Sequence, residues 1–221
     1  MALHVYDYRR DRDGVLVTPE IRVKFMHMQL GEVARSHSHD LGVSVFLVLQ
    51  GTVEFDIEGE VAELGAGQMC VALADEKHTM RCTSQEPAVV YLSVAPHVQP
   101  THTVFAQDGS KVLQRYAGAR SDAPLNELFH WHSRIALDLA NTAARNTRIQ
   151  RDESARLRKA VIKGDKGAAV RAREAMWQAL YQVYKKAYDQ AAAWNELIDH
   201  LPAEMDWPEA MSDPNEERRF A

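Results

Sequence analysis

The stretch Gly31-Glu-Val-Ala-Arg-Ser-His37-Ser-His39-Asp-Leu-Gly-Val-Ser44-Val-Phe-Leu-Val-Leu-Gln-Gly51 decides how the first half of the chain reads. Residues two apart on a strand point to the same face, so His37 and His39 can reach one metal ion together. The pair sits between glycines that end one strand and turn the next. A second segment, Gly67-Gln-Met-Cys-Val-Ala-Leu73-Ala-Asp75-Glu-Lys-His78-Thr-Met-Arg-Cys82, brings a third histidine. Imidazole is a common ligand of zinc, iron, nickel and copper.

Around these segments the chain is built of short, β-branched stretches: Ile21–Leu30, Val43–Gln50, Thr52–Ile57, Gln68–Leu73, Thr79–Cys82 and Val89–Val94. Strands of this length at close spacing predict an all-β sandwich or barrel. Near residue 120 the composition turns to Ala, Leu, Arg, Lys, Glu and Gln, which favour helix. The expected class is therefore α+β, with a β-barrel domain over 1–118 and an α-helical domain over 119–221. Gly118–Pro124 reads as a linker, with Ser121 or Asp122 able to cap the first helix and Pro124 near its first turn. About three helices are predicted, over Pro124–Asn146, Ile149–Lys163 and Gly167–Leu201, with a break at Gly164-Asp165. In the third, Val170, Trp177, Tyr184, Ala191 and Ile198 recur every seven residues, beside a row of Leu180, Ala187, Trp194 and Leu201. That face packs on the other helices, on the barrel or on a second subunit. The tail after Pro202, with its charges from Asp206 to Arg219, reads as loosely ordered.

Residues 15–98 resemble the cupin superfamily. The first family motif, G-x5-H-x-H-x4-E-x6-G, falls on Gly31, His37, His39, Ser44 and Gly51 without a gap. The second, G-x5-P-x-G-x2-H-x3-N, falls on Gly67, Leu73, Asp75, His78 and Cys82. The resemblance implies a jelly-roll barrel, the double-stranded β-helix, with His37, His39 and His78 as ligands of a divalent transition metal: Fe, Zn, Ni or Mn. It also marks departures. The family's fourth ligand, a glutamate, is Ser44 here. The proline and glycine before the third histidine are Leu73 and Asp75, and the asparagine is Cys82. Without the carboxylate, three neutral imidazoles leave a divalent ion near +2, a stronger Lewis acid that favours an anionic ligand. Asp40, Asp75 and Glu76 are the nearby carboxylates, and Asp40 is out of phase with the two histidines on a regular strand.

Met80 and Cys82 share the face of His78 under strand alternation, so with Ser44 they are expected to line the pocket. Cys82 is either an inert buried thiol or a reactive one. His27 reads as a plain polar position, and His97 and His102 as surface residues after the last clear strand. In the helical part, Asn126–Ala136 and Lys163–Met176 are locally similar to effector domains of GntR-family regulators. Of that family's metal-binding Asp and three His, only His130 is matched, and no site is carried over. His130, Arg134 and Asp138 share a helix face and read as a solvated or interface row.

The net charge of −5, without a clustered basic excess, argues against direct nucleic-acid binding. No apolar run has the length of a membrane span, and the polar start, Met1–Arg12, does not read as a signal peptide. The two cysteines form no disulfide framework, which points to a cytoplasmic setting. Two functions fit. One is a metal-dependent cupin enzyme acting on a small polar or anionic molecule, with dioxygenase-like or other non-haem metal chemistry; oxygenase, lyase and isomerase reactions all suit the site. The other is a non-catalytic small-molecule sensor whose helical part dimerises or regulates. A homodimer is expected in either case. No catalytic residue is assigned.

Overall fold

The structure is a computed structural model that describes residues 3–11, 13–99, 102–106, 108–110 and 123–201. Most of the expected linker and the whole of the expected loose tail lie outside these residues. The chain forms two compact units, taken in turn.

Among the described residues the first unit holds ten strands: β1 (Asp13–Val17), β2 (Arg22–Met28), β3 (His37–Ser38), β4 (Val43–Gln50), β5 (Thr52–Ile57), β6 (Glu60–Gly65), β7 (Met69–Ala72), β8 (His78–Cys82), β9 (Ala88–Ala95) and β10 (Thr103–Val104). They form two antiparallel five-stranded sheets, ordered β1-β2-β9-β4-β7 and β10-β3-β8-β5-β6. The crossing from one sheet to the other between β4 and β5 is made by Gly51 alone. Its φ is +78°, and a Cβ there would meet the Cα of Ala88 at 3.0 Å, so only glycine fits. The β5–β6 hairpin turns through Glu58 and Gly59, both at positive φ, the two-residue loop that matches strand twist.

Alternation along the strands separates two ends of the interior. Facing residues of neighbouring strands share a face, so each register pair extends a row across the sheet. In the first sheet, Met26, Val90 and Val48 make one inward row, and Met28 and Ala88 another. Val53, Phe55, Met80 and Cys82 face them from the second sheet and complete the apolar core. Full burial of each such large side chain contributes about 1.5 to 3 kcal/mol. Towards the other end the rows turn polar: Lys24, Leu92 and Phe46, then Arg22, Val94, Ser44 and Ala72. The histidines lie on the second sheet, and Phe46 links the two faces through a ring contact of 5.5 Å with His78.

Among its described residues the second unit is a hairpin of two long helices, α1 (Leu125–Lys163) and α2 (Lys166–His200). The first two expected helices are one. Asn146 and Thr147 are modest helix formers, but neither is glycine or proline, and the Thr147 hydroxyl donates to the Ala143 carbonyl within the helix at 3.0 Å. Gln150 ties this stretch to α2 by donating to the Met176 carbonyl at 2.7 Å. The break at Gly164-Asp165 is present. Gly164 closes α1 in the left-handed conformation, and the Asp165 carboxylate caps α2 by accepting from the Ala168 amide at 2.9 Å. The buried positions Ala160 on α1 and Ala172 and Ala193 on α2 are small, and this lets the helices approach closely. Val170, Trp177, Leu180 and Tyr184, from the two heptad rows, are instead exposed. His130, Arg134 and Asp138 are exposed on α1. Among the described residues, no helix is long and apolar enough to cross a membrane.

Candidate metal centre

His37 and His78 are direct register partners between β3 and β8, and His39 follows His37 by two residues. The rings therefore converge on one interior face. Their centroids are 5.1 Å apart for His37–His39, 4.5 Å for His37–His78 and 5.5 Å for His39–His78. One nitrogen from each lies within 4.8 Å of the others. Three such atoms share a centre no more than about 2.8 Å from each; metal–imidazole bonds are about 2.1 Å, so closure of less than about 1 Å seats an ion.

The hydrogen bonds outside the cluster favour this use. His37 Nδ1 donates to the Arg35 carbonyl and His78 Nδ1 to the Glu76 carbonyl, each at 2.8 Å. Each ring is held by the carbonyl two residues upstream, which fixes the tautomer and leaves Nε2 with its lone pair. His78 Nε2 is buried with no hydrogen-bond partner, an orphan that a metal ion would satisfy. Protonation is suppressed as well. Burial pushes His37 down to about 4, helped by His78 and opposed by its bond to Arg35. Burial likewise lowers His78. Neutral imidazoles are the form that binds metal.

Two of the nearby carboxylates, those of Asp40 and Glu76, are engaged elsewhere. Asp40 is exposed, and its Oδ1 accepts from the Thr103 hydroxyl at 2.6 Å. Asp75 takes the motif's glycine position with a φ of +67°, a conformation that aspartate tolerates better than most residues. Its amide donates to the His39 carbonyl at 2.8 Å and ties the two histidine loops together. The Glu76 carboxylate accepts from the Leu73 amide at 2.8 Å and braces the turn before His78. Ser44 is fully buried on the inner face, and its hydroxyl has no partner. Met80 and Cys82 continue the inward face of His78 into the apolar core. The Cys82 thiol lies 3.4 Å from the Ser84 hydroxyl and 3.9 Å from the Glu86 carbonyl, which accepts from it. These are the surroundings of an inert thiol.

Two sequence expectations are corrected here. His97 is not a surface residue: it is 4% exposed, its amide donates to the Pro19 carbonyl, and burial followed by the charge of Arg22 pushes it down to about 4. His102 is only partly exposed and lies against the cluster, its ring 4.7 Å from both His37 and His39. Burial, then those two imidazoles, then Arg22 and Lys24 hold it well below the usual histidine range. The two cations are also features that sequence reasoning missed. Lys24 is 9% exposed on the inner face, in phase with Met26 and Met28. A charge in phase with two core methionines was the available signal. His27 lies one residue out of that phase, opposite Val89.

Residues 24–95 match the family described as the cupin domain. No curated protein matches the chain in sequence. Similar solved structures include a protein of Thermus thermophilus, 22% identical with a TM-score of 0.41, covering 42% of this chain and 98% of that one. A double-stranded β-helix protein of Klebsiella pneumoniae is 24% identical with a TM-score of 0.43, covering 45% and 89%. A salicylate 1,2-dioxygenase of Pseudaminobacter salicylatoxidans is 19% identical with a TM-score of 0.32, covering 35% and 21%.

Proposed function

Residues 24–95 being a cupin domain, we propose that the protein is a metal-dependent enzyme acting on a small anionic molecule inside the barrel. His37, His39 and His78 hold a divalent transition ion of the Fe, Zn, Ni or Mn group. When bound, the ion supplies Lewis acidity and an open position for non-haem metal chemistry of the dioxygenase type or a related kind. The observation that carries this reading is the set of three converging imidazoles, two of them locked by backbone carbonyls, with a buried Nε2 left unsatisfied.

The chain's own groups favour an anion. No carboxylate joins the cluster among the described residues, so nothing offsets the ion's charge. Across the barrel, Lys24 and Arg22 lie on the inward rows of the first sheet, close enough to depress His102. A carboxylate or phenolate entering between the sheets meets these cations on one side and the ion on the other, with Phe46 excluding water below. The Ser44 hydroxyl on the same face is placed to donate to it. The expected partners are this small molecule and a second copy of the chain, and the two free cysteines, Cys70 and Cys82, suit the reducing cytoplasm. The exposed apolar row of α2 also favours a sensing role with a dimerising hairpin, in which the barrel binds without turnover.

Metal analysis of the purified protein is the direct test. The expected result is a stoichiometric transition metal that disappears in His37→Ala and His78→Ala. A metal-free wild-type barrel that binds its ligand with full affinity overturns the enzymatic reading and leaves the sensing one.

A further inference from the structure

We infer that His102 is a fourth protein ligand of the metal ion, supplied by β10 from the same sheet as the three histidines, in a site where Ser44 offers no carboxylate. The inference rests on the metal site proposed above and concerns how that site is completed.

The register of β10 against β3 carries the argument. Thr103 pairs with Ser38 and Val104 with His37, so the next position out brings His102 opposite His39. Directly facing residues of an antiparallel pair share a face. His102 therefore points into the barrel with His37 and His39, and not outward. The ring positions agree. With metal–nitrogen bonds of about 2.1 Å, two imidazoles side by side on one ion have centroids about 4.5 to 5.5 Å apart. His102 lies 4.7 Å from His37 and 4.7 Å from His39, within the span of the three pairs of the cluster itself, while its nitrogens stand outside the group of three that lie within 4.8 Å of one another, so its ring must turn to reach the ion.

The strand that delivers it is anchored where it matters. Thr103 is 1% exposed, and its hydroxyl donates to the Asp40 carboxylate at 2.6 Å. That bond joins the residue after His102 to the residue after His39. The two imidazoles are thus held by one staple across the strand pair. The chemistry is also consistent. Ser44 is on the opposite sheet with a hydroxyl too short to replace a glutamate, while a fourth neutral imidazole leaves the charge of the ion undiminished. The site keeps its preference for an anion and gains a ligand. Two of six positions then stay open for substrate.

The experiment loads the full-length protein with Cu(II) and counts coordinated nitrogens from the hyperfine structure of the electron paramagnetic resonance spectrum. Zn(II) affinity is measured in parallel by chelator competition. Wild type is expected to show four nitrogens, and His102→Ala three, with Zn(II) affinity reduced by about tenfold or more. His102→Gln, which keeps size and hydrogen bonding, is expected to lose the same nitrogen. Circular dichroism of both variants checks that the barrel is folded. Three nitrogens in wild type, with affinity unchanged in both variants, overturn the inference while leaving the three-histidine site standing. A wild-type protein that takes up no metal overturns both.

Discussion

Ser44 combines complete burial with a hydroxyl that nothing in the fold satisfies. A buried unpaired polar group costs about 1 to 3 kcal/mol, so the position works against stability, which favours the proposed role towards a ligand. Ser44→Ala is therefore expected to raise the unfolding free energy by about 1 kcal/mol in urea titrations, while weakening the binding of the anionic ligand. A loss of stability in that variant would mean that the hydroxyl serves the fold instead. The buried histidines give a second residue-level expectation. His97 has a folded value of about 4 against an ordinary 6.5. Between those values the unfolded chain binds a proton that the folded chain refuses, so stability falls as pH drops through 6.5 and levels off below about 4. His37, with the same folded value, adds to this in chelator-treated protein. Thermal unfolding from pH 7.5 to 4 should show the decline, and His97→Asn should flatten part of it.

The elements differ in how openly the sequence announces them. The Gly164-Asp165 turn is readable because each residue has its own local chemistry. Gly164 sits at a φ of +69° and Asp165 caps the helix that follows. Gly164→Ala forces a side chain into the left-handed region at a cost of about 1 to 2 kcal/mol, and the hairpin's helical signal should be lost at lower temperature than in wild type. An unchanged helical transition would show that the turn does not depend on glycine. The cluster of His37, His39 and His78 is equally legible, because strand alternation and motif spacing are local properties. The absence of a carboxylate at Ser44 is legible for the same reason. The break expected after Asn146 fails because weak propensity does not stop a helix that tertiary packing continues, here through Gln150 and α2. His102 is hidden for a different reason. β10 has two residues, too few for a period, and the phase of His102 comes only from pairing with β3, more than sixty positions away in sequence. Lys24 continues the inward phase of Met26 and Met28 with a charge, and its meaning emerges only once the histidines are seen to lie on the facing sheet.

At the scale of the molecule, the hairpin poses a problem that the barrel does not. The barrel buries its large apolar side chains, whereas α2 buries Ala172, Ala193, Leu197 and Ile198 and leaves Trp177 at 51%, Leu180 at 37%, Tyr181 at 41% and Tyr184 at 56% exposure. These four stand at i, i+3, i+4 and i+7, one stripe on one helix face. Scattered exposed side chains need no explanation, but a contiguous stripe with three aromatic residues marks an interaction surface. A second copy of the chain is the economical occupant. An isologous dimer places the same patch against itself, and a short stripe on a straight helix meets its own antiparallel copy without further complementarity. Aromatic residues at the centre of such a contact carry most of its energy, with losses of about 2 kcal/mol or more on truncation. Trp177→Glu combined with Tyr184→Glu places like charges at the centre of the contact. Light scattering should then report a monomer, against a dimer expected for wild type. The same variant should keep its full metal content, because the ligands all belong to the barrel unit. A wild-type monomer would remove the argument for self-association, and loss of metal together with loss of the dimer would show that the two units depend on each other.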